Sequence, residues 1–266
     1  MRNNIKLFFY HKSKKLSTPK KLYTPKRLYN LIINKSESLE KFSVINKLLP
    51  QKVDLRNKLP PIYDQGSLGS CTANALCCLI QYLRPELQGS RLFLYYNERK
   101  LENDIPDDSG ATLESGIKCL LKYGICPESS WPYIISKFAV KPPDACYIEA
   151  LDRQALKVKS INENLQTMKA TLSNGNPFVV GILIYESFEY SIVSRKGIVP
   201  MPKINKEQIL GGHAVVCVGY NNITRQWIMR NSWGNSWGNN GYFYLPYNYL
   251  LNPNLASDMW TITKME

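Results

Sequence analysis

The chain changes character in one stretch, DQGSLGSCTANALCCLIQYL at residues 64–83. Its first seven residues are rich in glycine and serine, which is typical of an irregular loop. From Cys71 onward, small and apolar residues continue to Leu83, and Pro85 prevents a helix from extending further. The stretch therefore predicts a loop followed by a buried helix over 71–83, with Ser70 as its N-cap.

Cys71 would occupy the first turn of that helix. The unpaired N–H groups and the positive end of the helix dipole favour a thiolate there over a thiol. Two glycines in the preceding loop would let a substrate backbone approach closely. A small buried cysteine that merely opens a core helix fits the local sequence equally well.

The remaining periodic segments are helical first and stranded later. Two more helices are predicted at 112–123 and 164–172, each ending near a glycine. Buried strands are predicted at 178–184, 214–220, 226–230 and 241–245. This order predicts an α+β protein with a mainly helical lobe at 49–155 and a mainly β lobe at 156–266. The interface between two lobes is a common place for a functional site.

Composition excludes several classes of protein. The chain has 266 residues, of which 44% are hydrophobic and 21% charged, close to the average for globular proteins. Disorder along the whole chain and a fibrous architecture are therefore excluded. No apolar run reaches the roughly 18–20 residues that a membrane span needs, so no membrane-spanning segment is predicted.

The net charge of +13 is concentrated at the N-terminus. Residues 1–50 carry 12 Lys/Arg against 2 Asp/Glu, whereas residues 51–266 carry 22 against 19. The basic leader, residues 1–48, contains the repeat TPKKLY-TPKRLY at 18–29, in which proline every six residues blocks a continuous helix. It is interpreted either as a solvated, flexible segment or as an arm for an anionic partner such as a phosphate backbone, an anionic surface or the protein's own core. Residues 31–49 are more amphipathic and predict a short helix.

The N-terminal residues and the number of cysteines indicate whether the protein is secreted or intracellular. The apolar run at 7–10 is too short for the hydrophobic region of a secretory signal. Seven cysteines would leave one thiol unpaired in an oxidising compartment. Both observations favour an intracellular, mostly reduced protein.

Histidine is scarce, with only His11 in the leader and His213 in the core. An imidazole that acts as a general base in the core must therefore be His213. A structural histidine at the start of a strand is an equally good interpretation of this position alone. Two histidines argue against a histidine-based zinc site, and no paired-cysteine zinc spacing or phosphate-binding glycine loop occurs. We predict no metal and no cofactor.

The tryptophan-rich segment NSWGNSWG at 231–238 contains a possible third member of a catalytic group. The amide oxygen of Asn231 can accept a hydrogen bond from an imidazole N–H and fix its orientation. Trp233 can shield that bond from water, although such turns commonly serve packing alone. Gln65, six residues before Cys71, has a side-chain amide able to stabilise an oxyanion together with the Cys71 N–H.

Together, these segments closely resemble the papain-like cysteine peptidases. The matching segments are QGSLGSC at 65–71, GHAV at 212–215 and NSWG at 231–234, and the resemblance covers about residues 50–262. His213 and Asn231 follow Cys71 by 142 and 160 residues, near the spacing expected for this family. The segment LPQKVDLR at 49–56 looks like the start of a mature enzyme. The resemblance implies a helical lobe packed against a β-barrel-like antiparallel sheet lobe, with the active-site cleft between them.

The resemblance also implies the role of each residue. Cys71 would be the nucleophile, His213 its proton partner and Asn231 the group that orients the imidazole. Gln65 would donate to the oxyanion and Trp233 would cover the Asn–His contact. Substrate backbone would bind at Ser109, Gly110 and Gly212. The implied activity is hydrolysis of peptide or protein substrates through a thioester.

An endopeptidase is favoured because the core has no spare histidine of the kind that dipeptide-trimming relatives use to hold a terminal carboxylate. Gly212 and the segment 111–112 suggest a roomy, uncharged pocket for apolar or aromatic side chains.

Two positions and the leader depart from the usual family pattern. Leu68 replaces the cysteine three residues before the nucleophile, so the disulfide that it normally anchors cannot form. Thr72 replaces the usual tryptophan, as in a divergent microbial and viral branch, which removes an aromatic wall but none of the reacting atoms. The leader lacks the long helical pattern of the best-known inhibitory propeptides.

Two other functions compete with this interpretation. One is a catalytically silent binding or scaffold protein whose basic arm holds nucleic acid or a particle surface. The other is a transferase or isopeptidase that uses the same pair of residues. The leader either covers the cleft as in a zymogen and is removed near Leu49, or is a permanent tether. The expected setting is intracellular or associated with a virus particle, and the oligomeric state is open.

Overall fold

The computed structural model describes residues 27–32, 41–42 and 48–266. Within these ranges the chain forms seven α-helices and seven β-strands. The helices are α1 Cys71–Leu83, α2 Arg91–Glu102, α3 Leu113–Lys122, α4 Asp144–Leu151, α5 Leu165–Ser173, α6 Ser191–Lys196 and α7 Tyr247–Leu250. The strands are β1 Lys52–Asp54, β2 Ala155–Ser160, β3 Phe178–Tyr185, β4 Ile209–Asn221, β5 Gln226–Arg230, β6 Tyr242–Pro246 and β7 Ala256–Met265.

Helix α1 confirms the prediction for residues 71–83, and its first ten residues are buried. It packs against α2, α3 and the sheet, so the loop before it lies where the helices meet β4. Ser70 is the N-cap residue, but its hydroxyl makes no capping bond to the helix. The hydroxyl instead contacts Tyr133 Oη at 2.5 Å and the Asn74 side-chain amide at 3.0 Å.

The other two predicted helices are confirmed as α3 and α5. Each begins directly after an N-cap residue whose side-chain oxygen accepts a hydrogen bond from the first turn. Thr112 accepts from the Ser115 N–H, and Asn164 accepts from the Thr167 N–H. Helix α2 escaped prediction from the sequence. It buries Asn97, Glu98 and Arg99 in its last turns, which breaks the apolar periodicity on which the prediction depends.

The strands form one antiparallel sheet in the order β2-β7-β3-β4-β5-β6, with β1 paired to β4. The predicted strands correspond to β3, β4, β5 and β6, but β4 begins at Ile209, five residues before the predicted start. The glycines at 211 and 212 therefore lie inside the strand, paired with β3. This register puts His213 on a buried strand opposite Ile182.

Only part of the leader falls within the described residues. Residues 30–32 pair with the protein as extended chain, which contradicts the start of the helix predicted for 31–49. Residues 41–42 pair with Ser160 of β2 and contradict it as well. Residues 33–40 and 43–47 lie outside the described residues, as do His11 and most of the repeat at 18–29. None of the helices in the described ranges has the length and hydropathy needed to cross a membrane.

Candidate active site

Cys71 lies at the start of α1 with its side chain almost fully buried. The backbone N–H groups of Ala214, Thr72 and Cys71 itself hydrogen-bond to its sulfur, and all three favour a thiolate. Burial outweighs them and raises the pKa of Cys71 to about 12, with a smaller contribution from the carboxyl of Glu98. The thiol is therefore protonated in this arrangement. The Ala214 contact also places the sulfur beside the residue that follows His213.

The orientation of the His213 ring follows from its hydrogen bond to Asn231. Nε2 lies 2.8 Å from Asn231 Oδ1, and the same oxygen accepts from the Ser232 N–H at 2.8 Å. Because a backbone N–H can only donate, the atom facing Nε2 is the amide oxygen, and Nε2 must carry the hydrogen. Nδ1 is buried and finds no hydrogen-bond partner among the described residues. A neutral His213 thus has the lone pair of Nδ1 free to take a proton.

Trp233 covers the imidazole. Its ring stacks on His213 with a centroid separation of 4.7 Å and an interplanar angle of 26°. Burial lowers the pKa of His213 to about 4, against the bond to Asn231, and the positive charge of Arg27 lowers it further. The ring is therefore neutral at pH 7. The covered site holds a neutral thiol and a neutral imidazole.

Gln65 is buried and fixed at three points. Its backbone N–H donates to the Ser232 carbonyl at 2.9 Å, and its Oε1 accepts from Ser232 Oγ at 2.6 Å. Its Nε2 donates to the Leu68 carbonyl at 2.9 Å, which leaves the second N–H of the amide for another acceptor. The loop before Cys71 is thus tied to the loop after Asn231.

The predicted substrate-binding residues lie on the two sides of the cleft. Gly110 has φ of +79°, which favours glycine, and its N–H donates to the Tyr95 hydroxyl at 3.1 Å. Ser109 makes only a long contact, 3.5 Å from its hydroxyl to the Gly110 carbonyl. Gly212 offers its carbonyl oxygen to the cleft.

Residues 27–32, which we call the cleft segment, occupy this cleft. The N–H of Leu31 donates to the Gly212 carbonyl at 3.0 Å, and the N–H of Ile32 donates to the Ala111 carbonyl at 3.1 Å. The approach is so close that a Cβ on Gly110 would lie 1.6 Å from the Asn30 carbonyl oxygen. The cleft therefore binds extended backbone between its two sides.

Side chains of the cleft segment also contact the candidate catalytic residues. The Arg27 guanidinium lies 4.5 Å from the centre of the Trp233 ring. The Tyr29 ring lies 6.2 Å from the imidazole of His213, edge-on, and its hydroxyl donates to Glu189 at 2.7 Å. Leu31 reaches Gly181 on β3, where a Cβ would lie 2.7 Å from its methyl group. The cleft segment thus contacts the imidazole through Tyr29 and the Trp233 ring through Arg27.

Three polar residues near the site escaped prediction from the sequence: Tyr95, Glu98 and Asp108. Glu98 is buried, accepts from the Thr72 hydroxyl at 2.6 Å and has its pKa raised to about 8, mainly by burial. Asp108 accepts from the N–H of Gly69. All seven cysteines are free, buried thiols. No group of three or more His, Cys, Asp or Glu within the described ranges is arranged to hold a metal ion.

Comparison with known proteins identifies the family. Residues 49–260 match the family model for papain family cysteine proteases. An uncharacterized peptidase C1-like protein of Acanthamoeba polyphaga mimivirus is 45% identical over 216 residues, which cover 76% of this chain and 69% of that protein. Cathepsin K of Gallus gallus is 29% identical over 75% of this chain, and the match takes in only 59% of its own length.

Solved structures agree with this assignment. Xylellain, a cysteine protease from Xylella fastidiosa, superposes with a TM-score of 0.81 at 37% identity, covering 91% of this chain and 98% of that one. Procathepsin B S9 from Trypanosoma congolense has a TM-score of 0.71 at 19% identity, which supports the fold alone. The predicted papain-like α+β fold is therefore confirmed. Because the family model matches most of its length, this chain belongs to the papain family of cysteine proteases and is a thiol protease.

Proposed function

We propose that this protease is an endopeptidase in which Cys71 is the nucleophile and His213 its proton partner. The observation that carries the proposal is the fixed ring of His213, whose Nε2–H is held by Asn231 while Nδ1 has no partner among the described residues. The Ala214 N–H on the Cys71 sulfur supports the same pairing, since it brings the sulfur to the end of β4 that carries the ring. Asn231 orients the imidazole and Trp233 shields it.

Each step of the proposed reaction uses these residues. His213 takes the proton of Cys71, and the sulfur attacks the carbonyl carbon of the peptide bond while the C=O electrons move to oxygen. The oxyanion accepts from the Cys71 N–H and from the second N–H of Gln65. The protonated imidazole then gives its proton to the leaving amine as the C–N bond breaks. His213 then takes a proton from water, whose oxygen bonds to the acyl carbon as the C–S bond breaks. The acid product leaves, and the imidazolium returns its proton to the Cys71 thiolate.

The course of the cleft segment supports an endopeptidase. Arg27 lies over Trp233 on one side of His213, and Ile32 pairs with Ala111 on the other. An extended chain thus continues on both sides of the site, as a substrate cleaved at an internal peptide bond must. Leu31 shares an apolar cluster with Ala111 and Ala214, which supports a preference for apolar side chains at that position.

We also propose that the leader is inhibitory and is removed near Leu49. The cleft segment fills the groove that a substrate would use, and the charge of its Arg27 lowers the pKa of His213. Leu48, at the proposed boundary, is 97% exposed and accessible to a protease. The helical lobe would then be residues 49–155 and the β lobe 156–266.

Two further points stay predictions. The basic residues 1–26 lie outside the described residues, so the anionic partner of the arm is a prediction from charge alone. The intracellular or virus-associated setting is supported by the mimivirus relative and by Leu68, which cannot form the usual disulfide.

A peptidase assay on three proteins tests the proposal. The wild type, Cys71→Ala and the control Cys119→Ala are compared as full chains and as chains beginning at residue 49. Only the chains that keep Cys71 should cleave an internal bond of a peptide blocked at both ends, and the short form should be faster. Turnover by Cys71→Ala, or no turnover by either form of the wild type, would refute the assignment.

A further inference from the structure

One carboxylate, that of Asp108, joins the two loops that form the proposed site. Both of its oxygens lie 3.0 Å from the N–H of Gly69, in the loop that leads to Cys71. One of these oxygens, Oδ1, also accepts from the hydroxyl of Tyr95, which lies on α2. A carboxylate can accept all of these bonds at once because it has about four lone-pair sites.

Tyr95 extends the connection to Gly110, on the helical-lobe side of the cleft. It is fully buried, and burial together with the bond to Asp108 raises its pKa, so the phenol is neutral. Its hydrogen is committed to Asp108, and its oxygen therefore accepts from the N–H of Gly110 at 3.1 Å. The bonds run without a break from Gly69 through Asp108 and Tyr95 to Gly110.

The two ends of this chain of bonds serve different steps of the reaction. Gly69 follows Leu68, whose carbonyl holds the Gln65 amide, and precedes Cys71 by two residues. A shift of Gly69 would therefore move the two proposed oxyanion donors, the Gln65 amide and the Cys71 N–H. Gly110 contacts the backbone in the cleft, as its approach to the Asn30 carbonyl demonstrates. Its position bears on substrate binding.

No covalent tie holds the first of these loops. Leu68 stands where a disulfide would otherwise attach, and the cysteines of the chain are free thiols. The bond from the Gly69 N–H to Asp108 is thus a direct link between the oxyanion loop, residues 65–71, and the substrate loop, residues 108–111. Hydrogen bonds to a charged acceptor are roughly twice as strong as neutral ones, which suits this task.

We infer that Asp108 is a positioning residue that, through Gly69 and Tyr95, holds the oxyanion loop and the substrate loop in register for catalysis. This inference rests on the proposed function, because it assigns Gln65 and Cys71 to the oxyanion. Asp108 itself touches no reacting atom.

Three variants of the full chain test the inference. Asp108→Asn keeps the size of the side chain, but whichever way the amide turns its NH₂ group faces the Gly69 N–H, which is itself a donor. Tyr95→Phe removes the hydroxyl that joins Asp108 to Gly110 and keeps the bond from Gly69 to Asp108. The matched control is Asp107→Asn, an exposed neighbour with the same change of charge.

Each protein is assayed after leader processing, with active sites counted by a covalent thiol inhibitor so that misfolded protein does not enter kcat. We expect Asp108→Asn to lower kcat/KM by about 10- to 100-fold, in kcat as well as KM, since small misplacements of catalytic groups have effects of this size. Tyr95→Phe should act mainly on KM. The double variant should be no worse than Asp108→Asn alone, because both lie on one path. Kinetics of Asp108→Asn within twofold of Asp107→Asn per titrated site would overturn the inference.

A second measurement separates this inference from the proposed function. Amide exchange at Gly69 and Gly110, followed by NMR in the full chain, requires no peptidase activity. Asp108→Asn should accelerate exchange at both amides and Tyr95→Phe at Gly110 alone. An inactive wild type would refute the proposed function, and the inference would then be decided by exchange. Unchanged exchange in Asp108→Asn would reject the link itself.

Discussion

The backbone N–H of Leu31 donates to the carbonyl oxygen of Gly212 at 3.0 Å, one residue before the imidazole of His213. Through this bond the cleft segment occupies hydrogen-bonding capacity of β4 that a substrate backbone would otherwise use. The Leu31 side chain is 7% exposed and belongs to the apolar core, whereas Leu28, three residues earlier, is 49% exposed. The same substitution at Leu31 and at Leu28 therefore distinguishes the loss of packing in the cleft from the mere addition of a charge to the segment.

Leu31→Asp should release the cleft segment. Burial of a leucine side chain contributes about 1.5–3 kcal/mol, and a charge in its place adds a desolvation cost. The rate at which iodoacetamide alkylates Cys71 in the full chain should therefore rise by at least about tenfold. Mass spectrometry of the labelled peptide measures this rate. Leu28→Asp is the control, and equal rates in the two variants would mean that the cleft segment does not protect the thiol.

Acid should also open the site. With the cleft segment in place the pKa of His213 is about 4, against an ordinary value of 6.5. We expect release of the cleft segment, and with it the Arg27 charge, to return the pKa of His213 towards 6.5. This open form then binds more protons than the closed form between the two values, and closure weakens as the pH falls from about 6.5 towards about 4. Within that window each pH unit changes the equilibrium by at most about tenfold.

The rate of leader removal, followed by mass spectrometry between pH 7 and pH 5, measures this effect. Arg27→Gln is the informative variant, because the Arg27 charge lowers the pKa of His213. Its processing rate should rise less steeply as the pH falls, because a closed form without the Arg27 charge binds the His213 proton more easily. A profile that rises with pH, or one that Arg27→Gln leaves in place, would contradict the mechanism.

Removal of Gln65, the proposed oxyanion donor, should lower kcat strongly. Gln65→Ala deletes the amide that Ser232 and Leu68 hold in place. Loss of one such donor costs about 2.7–4 kcal/mol in the transition state, or roughly 10²- to 10³-fold in kcat. Steady-state kinetics of processed enzyme check this value, with the exposed Gln51→Ala as control. A loss confined to KM would show that Gln65 binds substrate rather than the oxyanion.

Asn231→Ala should reduce kcat by removing the acceptor that fixes the His213 tautomer. The loss of a hydrogen bond of this kind costs about 1.5–3 kcal/mol, or about 10- to 100-fold. The ring would also be free to turn, so the pH profile of kcat/KM should broaden or shift. The exposed Asn57→Ala should match the wild type. Unchanged kinetics in Asn231→Ala would remove Asn231 from the proposed site.

The proposed catalytic residues could be found from the sequence because their types are rare or their neighbours distinctive. His213 is the only histidine of the core, and Cys71, Gln65 and Asn231 each lie in a recognisable segment. Asp108 and Tyr95 carry no such signal. Asp108 has an acidic neighbour, Tyr95 lies in a helix whose buried charges hide its period, and only the folded chain brings either one to a loop amide.

The same limit applies to the cleft segment. Its arginine, leucine and tyrosine belong to a basic repeat, and repeat and charge alone fit a solvated arm as well as a bound one. The bound position of the cleft segment depends on how closely its backbone can approach the glycines of β4. A Cβ on Gly211 would lie 2.2 Å from the Tyr29 carbonyl, and one on Gly212 would lie 2.5 Å from the Leu31 carbonyl. Such contacts depend on the register of β4, which begins earlier than its apolar pattern indicates.

Asp258 makes stability depend on pH in the direction opposite to most carboxylates. It is buried on β7 with φ of +61°, its Oδ1 accepts from Trp260 Nε1, and its Oδ2 has no hydrogen-bond partner among the described residues. Burial raises its pKa to about 7 from an ordinary 3.8. The folded state therefore holds a proton that the unfolded state has released. Stability is lost as the pH rises from about 4 through about 7, because the unfolded state then binds fewer protons.

Asp258→Asn should therefore stabilise the protein more at pH 8 than at pH 5. The asparagine keeps the oxygen that accepts from Trp260 and tolerates the positive φ, so the variant differs from the wild type mainly in charge. The gain at pH 8 should be a few kcal/mol at most, since each unit of pKa shift corresponds to about 1.4 kcal/mol. Urea unfolding at both pH values measures it, with the exposed Asp152→Asn as control. An equal change in the free energy of unfolding at pH 5 and pH 8 would show that Asp258 is charged in the folded protein throughout, and that its buried oxygen finds a partner in solution.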